Sequence, residues 1–547
     1  MKTMKRLLAV SILVLNYMIG FAFSGSGAGT EKNPYLITSC DELFEVRSDL
    51  TAHYKLMNDI DLGAWLEENS PQYGWSPIGT ASSPFSGVFD GNNKNILNLR
   101  ITRETSNNLG LFGYVESATI KNMVVINPQV VGNDNVGAIL GQRYADSSYD
   151  EAGPGALMIS NCYVMGGCIQ GNNCIGGIIG YDYCGGHAGA LTIEKCHNSA
   201  SITGTSKIGG ICGSMKGWAS PGLYIQDSFS IGDITGSSMV GGIVGHSETD
   251  YSWITKYDCG RPDLVCERTY VRGNIKGIDT TCGIAGYACA HGWTPGSWGS
   301  PTVTGAYTMS SNVCLADSIR GDYRICASVS SQDNYASTST VLLLKNGVAD
   351  DVEDNELNGT SMGIRLLQKA ETYEGLGWDF ANTWKDLSSY DEFPVLKNQS
   401  SEPSVTTFEA KSKGIIKGTT PYSNGTVYVI IDKVLYSSPI EDGKWEITLG
   451  RLSSGTKAII FSNETGKIPS SIVKAFAKEV IEEPTIITGD ANGDGAVDAA
   501  DVVSIINYIL GKPSSSFSNK NADINSDGQI LVDDAVGTVN VIMNEQK

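Results

Sequence analysis

Two stretches near the C-terminus, "DANGDGAVDAAD" beginning at Asp490 and "DINSDGQILVDD" beginning at Asp523, place oxygen-bearing side chains at alternate residues. Calcium takes about six to eight oxygen ligands, and a twelve-residue loop with donors at positions 1, 3, 5, 7, 9 and 12 supplies them. In the first loop Asp490, Asn492 and Asp494 stand at positions 1, 3 and 5. Ala496 offers its carbonyl at 7, Asp498 acts at 9 through water, and Asp501 closes at 12. The second loop uses Asp523, Asn525, Asp527, the Gln529 carbonyl and Asp534 in the same places, but Leu531 leaves position 9 to water. Position 6, where the chain must turn sharply, is Gly495 in one loop and Gly528 in the other. The pattern predicts two calcium ions, the second held more weakly.

Each loop runs into a segment of helical apolar spacing, "AADVVSIINYILG" and "VDDAVGTVNVIM", and no helix pattern enters the first loop. Paired loop–helix units closing with Asp at position 12 resemble type I dockerins, over about residues 489–547. The resemblance implies a small calcium-dependent helical domain that docks onto a cohesin-like protein. It also implies that partner reading falls to the residues after position 9, here Ala499 and Ala500 in one loop and Val532 and Asp533 in the other. Cellulosomal dockerins often carry Ser-Thr there.

At the other end, "MKTMKRLLAVSILVLNYMIGFAFS" has early basic residues, an apolar run and then small residues. It reads as a signal peptide over 1–24, the apolar run being short of a membrane span. An extracellular or cell-surface location follows. The net charge of −20 argues against nucleic-acid and anionic-membrane partners, which need a basic footprint. Thirteen cysteines would suggest disulfides in an exported chain, but twelve lie between Cys162 and Cys326, several at repeat-equivalent positions where a thiol can pack as a small apolar group.

The repeat itself is marked by glycine: 64 residues of 547, about 12% against a usual ~7%. "NLGLFG", "VGAILG", "IGGIIG", "IGGICG", "VGGIVG" and "TCGIAG" end at Gly113, Gly141, Gly180, Gly213, Gly245 and Gly286. From the fourth-last of these onward the core of each unit has nearly constant length, and the variable remainder follows the terminal glycine. Short alternating runs with glycine corners predict a stacked solenoid, a right-handed parallel β-helix over 25–398, with Ile178, Ile211, Ile243 and Ile284 in one interior ladder. Glycine would serve positive φ at corners or close approach between coils. The segments "NPYLI", "NDIDLG", "FSGVFDG" and "GWDFANTWK" extend the pattern, which resembles the GLUG-motif family of exported bacterial proteins. Some immunoglobulin-cleaving metallopeptidases carry such repeats beside a zinc domain. No histidine here is followed by glutamate, so the H-E-x-x-H zinc motif is absent.

Segments after the terminal glycines are read as loops projecting from one solenoid edge, and they are rich in aromatics. Tyr181, Tyr183, Trp218, Tyr251, Trp253, Tyr287, Trp293 and Trp298 are the candidate ligand strip, able to stack on sugar rings. The same segments hold Arg143, Asp182, Lys216 and Glu248 without a spacing diagnostic of catalysis. Residues 404–480 show short alternating strands with turns at Asn424-Gly425 and Asp442-Gly443, and resemble bacterial immunoglobulin-like sandwiches, expected to act as a spacer. Residues 481–488 read as a linker. The whole predicts an exported modular protein whose dockerin attaches a β-helix recognition or adhesion module, with a glycan or protein ligand, to a cohesin-like partner. A polysaccharide-degrading component and a purely structural surface protein are the alternatives.

Overall fold

The computed structural model describes residues 23–146, 154–186, 188–218, 222–250, 264–291, 307–327, 333–344, 347–348, 352–385, 387, 393–411, 413–479 and 486–545. The chain divides into two compact units, 1–478 and 479–547.

The first unit is built on parallel ladders. Each repeat contributes strands to sheets of sixteen, nine, six and five strands, and successive repeats add neighbouring strands in each. Register is strict: Ile175 pairs with Ile208, Ile208 with Val240 and Val240 with Thr281. The stacking follows from pattern: apolar residues at alternate positions line one side, and identical register in the next repeat buries the same face. Ile178, Ile211, Ile243 and Ile284 form the expected ladder, each backbone N–H donating to the carbonyl of the next, and all four are buried.

Glycine serves close approach. A Cβ on Gly210 would collide with the carbonyl oxygen of Gly242 in the neighbouring coil, and the repeat glycines there keep negative φ. Left-handed backbone falls instead on non-glycine columns, one of Cys174 (φ 58°), Lys207 (61°), Met239 (54°) and Thr280 (46°), another of Asn161 (49°), Lys195 (52°), Asp227 (49°), Arg268 (51°) and Ser311 (62°). The corner strain is thus distributed over ordinary side chains, at a cost each coil repeats. Twelve of the cysteines are described, and all but Cys40 are buried.

Residues 404–479 form two four-stranded antiparallel sheets around a core that includes Val427, Val429, Trp445, Ile447 and Ile460. They do not stand off as a spacer. Tyr428, Ile430 and Phe461 share one apolar cluster with Tyr163, Phe229 and Tyr270 on the outer flank of the sixteen-stranded sheet. Polar contacts cross the same junction: Asn127 Nδ2 donates to Lys433 O at 3.0 Å, and Lys474 Nζ lies 3.2 Å from Asp233 Oδ1. Between these parts, Tyr373, Trp378 and Trp384 fold back over the stacked Phe229 and Tyr270 rings. Too many outward aromatics lie on this flank for it to face water, which is why the sandwich covers it.

At the N-terminal end Phe23 is buried, its ring 4.6 Å from that of Tyr35. Cleavage after Ser24 would remove that ring from its packing. Residues 1–22 of the expected signal peptide lie outside the described residues. No described helix is long and apolar enough to cross a membrane.

Candidate functional site

The second unit places both acidic loops at helix N-termini, ahead of Ala499–Ile509 and Val532–Glu545, with a short helix Asn519–Ala522 leading into the second loop. Ala491, Ile505, Ala522 and Ala535 make its small core. Position 1 gathers the turn: Asp490 Oδ1 accepts from the N–H groups of Gly493 (2.9 Å) and Asp494 (3.1 Å), and Oδ2 from Gly495 (3.1 Å). Position 12 gathers the ends: Asp501 accepts from Asn492 N and Asp498 N, each at 2.9 Å. The second loop repeats this, Asp523 accepting from Asp527 N and Gly528 N, and Asp534 from Ile524 N and Leu531 N. Gly495 (φ 90°) and Gly528 (φ 81°) make the turn at position 6 in left-handed backbone.

These loops therefore fold around their own carboxylates. Asp490, Asp501 and Asp534 are buried, and none of the described ion pairs involves them. Burying an anion without a counter-charge is costly, so an oxygen-seeking cation fits this donor set. Among the described residues no three His, Cys, Asp or Glu side chains meet as a metal-ready cluster; the loop N–H groups hold the carboxylates instead.

The acidic residues of the two loops differ in placement at positions 9 and 11. Asp498 caps its helix, accepting from Ala500 N at 2.7 Å. Leu531 has no such oxygen and is exposed. Asp533 turns toward its loop, accepting from Asn525 Nδ2 at 3.0 Å. The expected partner-reading residues Ala499, Ala500, Val532 and Asp533 are exposed at the first turns of the two helices. Two apolar stripes on the same helices were not read from the sequence: Val503, Ile506 and Leu510 on one, and Val532, Val536, Val539 and Met543 on the other. Their i, i+3, i+4 and i+7 spacing was the available signal, masked because a second, inward stripe with Val502 and Ile505 shares the first helix.

In the first unit, the expected ligand strip is placed differently. Tyr181, Tyr183 and Tyr287 lie on strands, not loops, since the strands run on past the terminal glycines as Ile179–Gly185 and Ala285–His291. Parallel pairing continues there, and alternation turns these rings outward. Tyr183 stacks on Tyr144 at 4.6 Å and 9°, and Tyr287 stacks on His246 at 6.0 Å and 12°. Burial raises the Tyr181 phenol well above its ordinary value. Trp218 ends the strand Cys212–Trp218, its side chain outside what is described. Tyr251, Trp253, Trp293 and Trp298 lie outside the described residues.

Between the outward columns, Arg143 and Asp182 point inward as a fully buried pair, Nη1 to Oδ1 3.3 Å. Burial raises the Asp182 carboxyl, against the Arg143 charge. Ser214 Oγ lies 3.1 Å from His246 Nδ1. Burial, helped by Lys207 and Lys216, pushes that imidazole down to about 3, so it stays neutral near pH 7 and is a poor proton acceptor.

Residues 488–536 match the Dockerin type I domain family. The C-terminal unit thus contains a dockerin type I domain. The chain is similar to a protein of Evansella cellulosilytica named "Putative Gly-rich membrane protein", 37% identical over 128 residues, which are 22% of this chain and 14% of that one. It is also similar to "Halomucin" of Haloquadratum walsbyi, 32% identical over 159 residues, 28% of this chain and 2% of that one. The chain therefore spans a small part of these relatives. A solved Bacteroides ovatus structure, described as "a putative immunoglobulin A1 protease", is 19% identical with a TM-score of 0.40, covering 68% of this chain and 94% of that one.

Proposed function

We propose that this chain is an exported docking protein: two calcium ions set its dockerin, the dockerin binds a cohesin-like partner, and the coil stack presents a recognition face. The observation that carries this reading is the pair of loop–helix units with buried, uncompensated carboxylates inside a dockerin type I match. Asp490, Asn492, Asp494, Asp498, Asp501 and the Ala496 carbonyl would hold one ion; Asp523, Asn525, Asp527, Asp534 and the Gln529 carbonyl would hold the other. Calcium supplies the charge that these acids lack, and so fixes both loops and the helices they start. Ala499, Ala500, Val532 and the exposed apolar stripes are then the surface offered to the partner, which buries what water now touches.

We read the first unit as a right-handed parallel β-helix of the GLUG-motif kind, with an immunoglobulin-like sandwich bound to its flank. Its outward tyrosines, Tyr144, Tyr181, Tyr183 and Tyr287, suit stacking on sugar rings or on a protein surface. The signal-like N-terminus supports an extracellular or cell-surface location. The test is capture of the full chain on immobilised cohesins, with calcium and with chelator, joined to a glycan-array screen and a reducing-sugar release assay. Calcium-dependent capture without sugar release supports the reading; capture indifferent to calcium, or vigorous sugar release, overturns it.

A further inference from the structure

On the nine-stranded sheet the outward column runs Thr203, Thr235, Lys276, Arg320, each in register with the next on adjacent parallel strands. Lys276 and Arg320 are therefore neighbours about 4.8 Å apart along the stack. Both are exposed, and neither takes part in a described ion pair. Like charges directly opposed in a sheet repel. In a chain of net charge −20, two adjacent cations outside every described ion pair are the more unusual for it.

The surface beside them is shaped. The next residue in each repeat is glycine, Gly204, Gly236, Gly277 and Gly321, whose N–H groups bond to the following coil. A side chain on Gly236, Gly277 or Gly321 would turn inward against Val240 or Thr281, and the backbone of these three floors a trough beside the cations. Beyond it stand Ser237 and then Ile278, which is 69% exposed. At the cationic end the trough deepens to a cavity of about 360 Å³, lined by Lys276, Arg320, Ile278, Leu343, Leu344 and Asp322. Asp322 shares the lining but makes no described ion pair with either cation; its Oδ2 accepts from Thr281 N at 2.8 Å.

We propose that this trough binds an acidic polysaccharide, with a uronate carboxylate on Lys276 and Arg320. The sugar's C–H face would lie on Ile278 and Leu344, and flanking residues would reach the hydroxyls of Thr235 and Thr203. A carboxylate satisfies both cations at once and removes their repulsion. The hydroxyl-bearing wall upstream favours a sugar chain over an acidic peptide, which would ask for backbone partners that the paired strands have already used. The site rests on the recognition reading above but makes it specific in ligand and place.

The test is calorimetry of the full chain with oligoglucuronate, a neutral glucan oligomer of equal length, and oligoglutamate, repeated on Lys276→Gln, Arg320→Gln and the double variant. Oligoglucuronate should bind and weaken about tenfold in each single variant and further in the double, with thermal melts unchanged because both side chains are exposed. The neutral oligomer should not bind here. Oligoglucuronate binding untouched by the double variant would overturn the trough while leaving recognition at another face. Oligoglutamate binding as well as the uronate would overturn the sugar assignment. No saccharide binding at all would overturn both the trough and the glycan reading, while the cohesin capture assay reports on docking separately.

Discussion

His197 shows how one side chain can couple the stack to pH. Its ring is fully buried, 4.2 Å from Phe229 and nearly parallel to it, and neither ring nitrogen has a hydrogen-bond partner. Burial pushes it down to about 3, so it is neutral in the folded chain and protonates more readily once unfolded. A histidine with a depressed folded value stabilises above its unfolded value of about 6.5 and loses that stability as pH falls toward the folded value. His246 acts in the same direction. His197→Phe should therefore raise the melting temperature at pH 4 to 5 relative to the parent and change it much less at pH 8, read by thermal denaturation across that range. Equal shifts at both pH values would show that packing, not protonation, sets the effect. In the two acidic loops the turn was legible at the residue scale, because a twelve-residue loop is local and the left-handed positions of Gly495 and Gly528 follow from its spacing. With Leu531 at position 9, the second loop is expected to be the weaker. In calcium calorimetry Asp490→Ala should remove the tighter site and Asp523→Ala the weaker; the reverse order would contradict that assignment.

Elements are where reading and structure part. The register of the coils was visible in the glycine spacing, and Ile178, Ile211, Ile243 and Ile284 stack as read. The strand ends were not visible. Once parallel pairing is established, each strand continues as long as its neighbour offers partners, so Tyr181 and Tyr287 sit on sheets that sequence alone assigns to loops. Positive φ was equally hidden, since Lys207 and Met239 carry no local mark of it; stacking imposes it on whatever residue stands at the corner. Gly210 gives the element-scale prediction. Gly210→Ala sets a Cβ against the carbonyl of Gly242, and the coils must separate or break a ladder bond. A loss of about 2–4 kcal/mol is expected, in the range of overpacking plus a lost hydrogen bond. Gly450→Ala, where nothing lies within 4 Å of the added atom, is the control and should be nearly neutral. Chemical denaturation of the two variants decides it.

For the whole molecule, the sequence suggested modules set apart by a spacer and a linker, and the contacts give two compact units. Sequence could identify the 404–479 segment as β-rich from its alternation, but the partner of its outward Tyr428, Ile430 and Phe461 lies hundreds of residues away, and no local pattern records it. Coil stack and sandwich should accordingly unfold in one transition. Ile430→Asp, at the junction, should lower the melting temperature of both together; separate transitions would restore the spacer. The dockerin lies in a compact unit of its own with a small core, so its order should follow calcium.

The most direct measurement is capture of the full chain on a panel of immobilised cohesins, in calcium and again after chelation. Calcium-binding loops that organise a docking surface require binding to at least one cohesin, loss of that binding with chelator, and loss again in an Asp490→Ala, Asp523→Ala double variant whose coil-stack melt is unchanged. Binding that survives chelation and the double variant would contradict the account, because the surface would then form without the ions that its buried carboxylates are built to hold.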